Sequence, residues 1–481
     1  MIQGNLKQLN LKQKAIKGVK ITAAAFVLIK TAALIRHIVL ARILAPEDFG
    51  LIAFCLVVVG LLENLSNLRI HDAVIQTGDN EQDMLRAGFI PQLLLSAVFV
   101  CAVLILSQKI SYALGRPSMR VYLNLLALRI LTPAVILPQA LLHREFKYKS
   151  IKIPEISEAL VNTAVSIILA VKGFGIWSLA WGIISGWLVW ALLILLIARG
   201  WPGIHFKPAP LKKALSFGAP LYLTCILVWG FWNMDDFIVG SVLGNQALGF
   251  YWLAFYLAHH LIDLRFILSK VSFPVFSRLQ GNRPKQSEAL SELTKTSAFI
   301  FLLIAALLIP LAHPALGLVF GSKWIPAAVP FMIFIAIVSL RSVFEHGSEL
   351  LLGAAKTRYI LAVSLLQFVV LLVLGPAATS RLGISGMALT IFLAVALSIA
   401  ALLNYVRRII AISYIRILWR PFVIAACVSL VAFLARGFAG SIIGLSTVLI
   451  ACSALYFVLF MAAERLFMHR FKSYFLTLIR S

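Results

Sequence analysis

Charge is scarce in this 481-residue chain, and acidic charge scarcer still: 13% of residues are charged, with 18 Asp and Glu against 43 Lys and Arg. Soluble domains run near 25% charged, and the 61% apolar content and mean hydropathy of +0.97 confirm that exclusion. Paired cysteines are missing. The five present (Cys55, Cys101, Cys225, Cys427 and Cys452) stand singly in apolar stretches, which excludes a disulfide framework and a zinc site. There is no glycine-rich nucleotide loop ending in Lys-Ser/Thr, no metal-type His/Cys/Glu spacing and no nucleophile elbow. An ATP-driven pump is therefore disfavoured, and neither enzyme activity, cofactor nor metal is expected. Long loops are missing too. The longest, 272–295, is too short to fold as a domain, so function must lie among the membrane segments. A glycan polymerase or ligase, which needs a large outer loop, fits poorly.

What is present is a succession of apolar runs of about 20 residues, the length that crosses a bilayer as a helix. They are continuously apolar rather than alternating, which excludes a β-barrel. The fold class is an all-α polytopic membrane protein of about fourteen spans. The first six lie roughly at 21–44, 49–69, 87–108, 120–142, 156–172 and 176–198. The next six lie at 215–240, 248–271, 296–316, 326–349, 359–375 and 383–404, and the last two at 418–435 and 441–463. The basic N-terminus precedes an apolar run too long for a cleaved signal, so it reads as an uncleaved first span.

The formal charge of +25 reflects orientation, not nucleic acid: no soluble basic domain exists to bind one. With the N-terminus inside, 29 of the 43 Lys and Arg fall on the cytoplasmic side, 8 on the other and the remaining 6 within spans. That bias predicts an even number of spans with both termini cytoplasmic. The basic tail from Arg465 to Arg480 suits an amphipathic helix on an anionic leaflet.

Two landmarks recur six spans apart. The turn Leu44-Ala45-Pro46-Glu47-Asp48-Phe49-Gly50 between spans 1 and 2 is echoed by Leu243-Gly244-Asn245-Gln246-Ala247-Leu248-Gly249 between spans 7 and 8. Leu141-Leu142-His143-Arg144-Glu145-Phe146-Lys147-Tyr148-Lys149 after span 4 is echoed by Leu350-Leu351-Leu352-Gly353-Ala354-Ala355-Lys356-Thr357-Arg358 after span 10. An even offset gives both halves the same orientation. The expected organisation is an N-terminal lobe at 1–205 (spans 1–6), a C-terminal lobe at 206–405 (spans 7–12), and spans 13–14 with the basic tail at 406–481.

Charges at membrane depth are costly and face a bundle interior or a wet cavity. Lys30 and Arg129 lie deep and read as cavity cations, while Arg36 suits either a cavity or snorkelling to the interface. Span 2 carries Gly60, Glu63, Asn64, Asn67 and His71 as a polar stripe; Glu63 is a counter-ion or an interhelical hydrogen-bonding group. Asp235 and Asp236 are adjacent in span 7, so at least one points inward. His259 and Asp263 are four apart in span 8, with Arg265 on another face. Arg341, Glu345 and Glu349 form one stripe in span 10; Arg341–Glu345 is either a masked ion pair or one that exchanges partners with a substrate or ion. The candidate substrate-binding cations are Lys30, Arg36, Arg129, Arg265 and Arg341. The candidate ion-coupling or counter-ion groups are Glu63, Asp235, Asp236, Asp263 and Glu345.

The first turn, together with Asp236-Phe237-Ile238-Val239-Gly240 running on to Gly249-Phe250-Tyr251, with Phe273-Pro274-Val275-Phe276-Ser277-Arg278 and with Phe320-Gly321-Ser322-Lys323-Trp324, resembles the polysaccharide-export flippases of the multidrug/oligosaccharidyl-lipid/polysaccharide superfamily, above all the colanic-acid and exopolysaccharide branch. The resemblance implies two six-helix lobes around a cavity opened alternately to each side of the bacterial inner membrane. It further implies a polyprenyl (undecaprenyl) pyrophosphate-linked oligosaccharide as substrate, membrane lipids as surroundings, and a polysaccharide polymerase and chain-length machinery as partners. A cation-coupled multidrug antiporter of the same fold is the alternative.

Overall fold

The computed structural model describes residues 2–76, 81–145, 147–198, 208–354 and 356–463; the basic tail at 465–480 lies outside them. Every regular element among the described residues is helical. Eleven helices are long and apolar enough to cross a membrane, which makes this a multi-pass membrane protein.

The first turn is short because both helices are cut sharply. α1 (Ile2–Ile43) stops, and α2 (Pro46–Ser66) starts two residues later with Pro46 in its first turn, where the missing N–H costs nothing. Glu47 and Asp48 occupy the positive end of the new helix dipole, and the Asp48 carboxylate accepts from the Ala45 N–H at 3.0 Å. Short α3 (Ile70–Gln76), then α4 (Glu81–Ala113), follow.

The expected fourth span is not one helix. It is α5 (Met119–Leu126), a 3-10 turn over Ala127–Leu131, α6 (Thr132–Val135) and α7 (Gln139–Arg144). Pro133 and Pro138 lack the N–H an unbroken helix requires, and the Thr132 hydroxyl donates to the Arg129 carbonyl at 2.5 Å. α8 (Tyr148–Val171) and α9 (Trp177–Ile197) then pack against each other and α8 packs along α1. The Thr163 hydroxyl on α8 donates to the Ala32 carbonyl on α1 at 3.3 Å.

Two of the long helices are interrupted at a glycine. α10 (Pro208–Arg278) breaks at Gly244 (φ 84°), and later α15 (Thr357–Arg407) folds back at Gly383 (φ 65°), bringing the Ser398 hydroxyl to the Val363 carbonyl at 3.4 Å. Both positions demand the left-handed backbone that glycine adopts freely. Between them run α11 (Arg283–Leu308), α12 (Ala312–Val319), α13 (Ala328–Phe344) and α14 (His346–Gly353). α16 (Tyr414–Leu434) and α17 (Ile442–Ala463) end the described chain. By contacts the chain divides into two compact units, Met1–Gly249 and Phe250–Ser481. The first arm of α10 belongs to the first: the Tyr222 hydroxyl donates to the Leu65 carbonyl at 2.9 Å, and Trp229 packs against Gly60.

The paired turns share more than sequence. After α7 the Glu145 and Lys147 amides donate to the Leu141 and Leu142 carbonyls, both at 3.0 Å. After α14 the Ala354 and Lys356 amides donate to the Leu350 and Leu351 carbonyls at 2.9 and 2.8 Å. The 44–50 and 243–249 turns, for their part, touch each other reciprocally. A Cβ on Gly50 would collide with the Asn245 carbonyl, and one on Gly249 with the Pro46 carbonyl. In the alignment of the two turns Pro46 corresponds to Asn245 and Gly50 to Gly249. The contact is therefore a local pseudo-two-fold in which each glycine receives the start of the opposite turn.

Gly50→Ala and Gly249→Ala should each destabilise the protein by about 1–3 kcal/mol, the usual cost of overpacking a backbone contact. Gly437→Ala, where a Cβ meets nothing within 4 Å, is the control. Thermal unfolding in detergent measures the difference, and equal melting of all three variants would contradict the close approach.

Candidate functional site

The break in the expected fourth span has an electrostatic consequence. It seats Arg129 in the 3-10 turn, within electrostatic reach of carboxylates on two other helices. Glu63 on α2 is within electrostatic reach of Arg129 and Glu158. Glu158 on α8 in turn feels Arg129, Glu155 and, from α1, Arg36. The Trp187 indole on α9 donates to the Thr132 hydroxyl at 3.0 Å, and Glu155 is paired with Lys152 at 2.6 Å. Arg129 Nε is buried without a hydrogen-bond acceptor among the described residues. Irregular backbone at membrane depth is tolerated where it is packed in protein or lines a polar cavity. Arg36, Glu63 and Arg129 thus come together in the first unit, around a fourth group, Glu158, that sequence reasoning did not single out. Lys30, six residues before Arg36 on α1, is half-buried with its ammonium 5.6 Å from the Phe26 ring.

Asp235 and Asp236 are both buried on the first arm of α10, so neither faces lipid. Five residues further, the Gly240 carbonyl accepts from Arg116 Nη2, while Arg116 Nε donates to Asn245 Oδ1 at 2.5 Å. The guanidinium lies 3.9 Å from the centre of the Phe54 ring. Arg116 thereby ties the loop after α4 to the paired turns. It looks like an ordinary loop cation in sequence, and its partners are 62 to 129 residues away.

The second unit holds the other cluster. Glu345, between α13 and α14, accepts from Arg341 Nε at 3.1 Å and lies 3.6 Å from Arg265 Nη1 on the second arm of α10. Arg341–Glu345 is thus a pair, as the four-residue spacing allows, and Arg265 makes it a triad with one carboxylate between two cations. Asp263, two residues before Arg265, is half-buried on the same arm. Beside the triad, His346 is fully enclosed. Its Nδ1 is 3.0 Å from both Glu349 Oε2 and Ser272 Oγ, and its Nε2 is 2.7 Å from Ser297 Oγ. Sequence reading placed Glu349 on the Arg341 stripe but missed His346, because its serine partners come from α10 and α11. No group of three or more His, Cys, Asp or Glu among the described residues could hold a metal ion.

Both clusters offer guanidinium groups, buried at Arg265 and half-buried at Arg36, Arg129 and Arg341, with carboxylates nearby, an arrangement suited to an anion that can compete for the cations. Residues 39–329 match the family described as polysaccharide biosynthesis protein. The chain belongs to that family. Among relatives of this polysaccharide biosynthesis protein, the lipopolysaccharide biosynthesis protein WzxC of Escherichia coli (strain K12) is 27% identical over 431 residues, 86% of each chain. The succinoglycan biosynthesis transport protein ExoT of Rhizobium meliloti (strain 1021) is 24% identical over 290 residues, 60% of this chain and 58% of that one. In fold, the family member is similar to the lipid II flippase MurJ in an inward closed conformation, with a TM-score of 0.71 and 14% identity over 94% of this chain and 99% of that one. It is also similar to a multidrug resistance MATE family transporter in an inward-facing conformation, with a TM-score of 0.64 and 16% identity over 79% and 94%.

Replacing Glu345 by Gln removes the carboxylate that Arg265 and Arg341 share, and loss of one partner from a largely buried ion pair costs about 3 kcal/mol or more. Glu345→Gln should lower the melting temperature clearly, and Arg265→Gln in the same chain should restore part of it. Additive losses in the double variant would show that the two residues do not interact.

Proposed function

We propose that this protein flips polyprenyl pyrophosphate-linked oligosaccharide units across the bacterial inner membrane by alternating access, for exopolysaccharide or lipopolysaccharide assembly. The observation that carries the reading is Arg129, set in a broken helix at membrane depth with Arg36 near the same carboxylate, Glu158. A pyrophosphate moving through an apolar bilayer needs cations held inside the protein, and carboxylates that mask those cations can yield them to a stronger anion. Relatives named for lipopolysaccharide biosynthesis and succinoglycan transport support the substrate class. Arg265 and Arg341 serve the same purpose from the second unit, and Lys30 extends the cationic path along α1. Glu63, Asp235, Asp236, Asp263 and Glu345 are the counter-ions, or the sites through which an ion gradient acts.

The topology we infer has fourteen spans. The two helices interrupted at glycine each contribute one more than a straight helix would, and the broken segment 119–144 completes the number. Both termini are cytoplasmic on the Lys and Arg bias. Lobes at 1–205 and 206–405, followed by spans 13–14 and a tail at 406–481, accord with the shared hydrogen bonding of the turns after α7 and α14. A polymerase and chain-length machinery would take up the flipped units. The buried carboxylates favour a second reading, a cation-coupled antiporter, which the several intramembrane cations oppose.

Arg129→Ala, expressed in a strain whose own exporter is deleted, should reduce surface polysaccharide at least about tenfold at normal protein level, while Arg129→Lys retains part of it. Full export by Arg129→Ala would remove this residue from the site. The close approach at Gly50 and Gly249 also suits a gate on the outer face. Asp48 and Ala247, equivalent positions in the two turns, lie next to the reciprocal contact. Cysteines there should form a disulfide that stops export until reduced, and unimpeded export with the crosslink in place would refute the gate.

A further inference from the structure

The arms of α15 meet at their open end in a cluster that the transport site does not use. Tyr359, near the start of the first arm, and Tyr405, near the end of the second, stack with ring centres 4.4 Å apart and planes 28° from parallel. Each ring carries a guanidinium. Arg358 lies 5.0 Å from the Tyr359 ring and donates from Nη2 to its hydroxyl at 3.1 Å, and Arg408 lies 5.7 Å from the Tyr405 ring. The charges acting on the Tyr359 hydroxyl come from Arg358, Lys356 and Arg408, all cations. All three of these side chains are exposed. Directly along the first arm, Leu361 (60% exposed), Leu365 and Val369 (54% exposed) make an outward apolar stripe at four-residue spacing.

We propose that this end of α15 is a binding site for an anionic phospholipid, with the headgroup phosphate on Arg358, Arg408 and Lys356 and an acyl chain along Leu361, Leu365 and Val369. Cations that merely set orientation extend into water on unrestrained stems. Here two guanidinium groups lie 5.0 and 5.7 Å from the rings of one stacked aromatic pair, immediately beside an outward apolar stripe. The first turn of the α15 helix adds its positive dipole end at the same level. Charge complementarity selects an anionic headgroup over a zwitterionic one, since a phosphatidylcholine would bring its own cation into a cluster of three. The site is independent of which substrate the protein carries.

The test is retention of dioleoyl-phosphatidylglycerol against dioleoyl-phosphatidylcholine by the purified full chain, read by native mass spectrometry in detergent. Wild type should retain the glycerol lipid preferentially. Arg358→Gln/Arg408→Gln should weaken that retention about thirtyfold, at about 1 kcal/mol for each interfacial cation. Arg358→Lys/Arg408→Lys should keep most of it. Arg416→Gln/Arg420→Gln, which removes the same charge from exposed positions on α16, should change little. Equal loss in both Gln pairs would mean diffuse attraction and overturn the site. So would equal retention of the two lipids by wild type, or displacement of the lipid by millimolar inorganic pyrophosphate, which would assign the cluster to a free phosphate ligand.

Discussion

The reciprocal contact of Gly50 with Asn245 and of Gly249 with Pro46 is the constraint on which the first unit's architecture turns. Two helix starts can meet backbone to backbone only where neither carries a side chain, and both glycines are needed because the contact is reciprocal. Pro46 cuts the first turn to two residues and Gly244 supplies the left-handed break in the second, so the two turns reach the same place by different backbone means. Arg116 then fastens the neighbouring loop to the assembled turns through Asn245 and Gly240, and its charge is spread over the Phe54 ring.

Charge in this protein is handled by the same economy. Four of the cations seen within spans in the sequence lie near carboxylates in two clusters, Arg36 and Arg129 with Glu63 and Glu158, and Arg265 and Arg341 with Glu345. Placing Arg129 in a 3-10 turn rather than a helix is part of the device, because two prolines and a threonine hydroxyl release the backbone there. Matched charges are tolerable in an apolar surround. A family devoted to polysaccharide biosynthesis needs a path of that kind for any substrate bearing phosphate.

Much of this was legible in the chain itself. Apolar runs of bilayer length, the Lys and Arg bias and the two recurring turns are one-dimensional signals. They identified the class, the turn positions and most of the buried charges, and the Arg341–Glu345 pair followed from four-residue spacing on one helix. The broken fourth span was foreseeable from Pro133 and Pro138, yet its apolar content concealed it. The contact division after Gly249 had no such signal, because it depends on the first arm of α10 packing on α2 through Tyr222 and Trp229.

By itself, then, the sequence determined a helical, many-spanning membrane protein with a small set of costly charges at membrane depth. Length, hydropathy and periodicity are local properties, and each span satisfies its own backbone hydrogen bonds whatever its neighbours do. Only the tertiary structure decided which charges share a site. Glu158 joining Arg129, Arg265 joining Glu345, His346 enclosed by Ser272 and Ser297, and Arg116 on Asn245 all depend on helices distant in sequence meeting at particular faces. That meeting is governed by packing, and packing leaves no periodic trace in the residues it brings together.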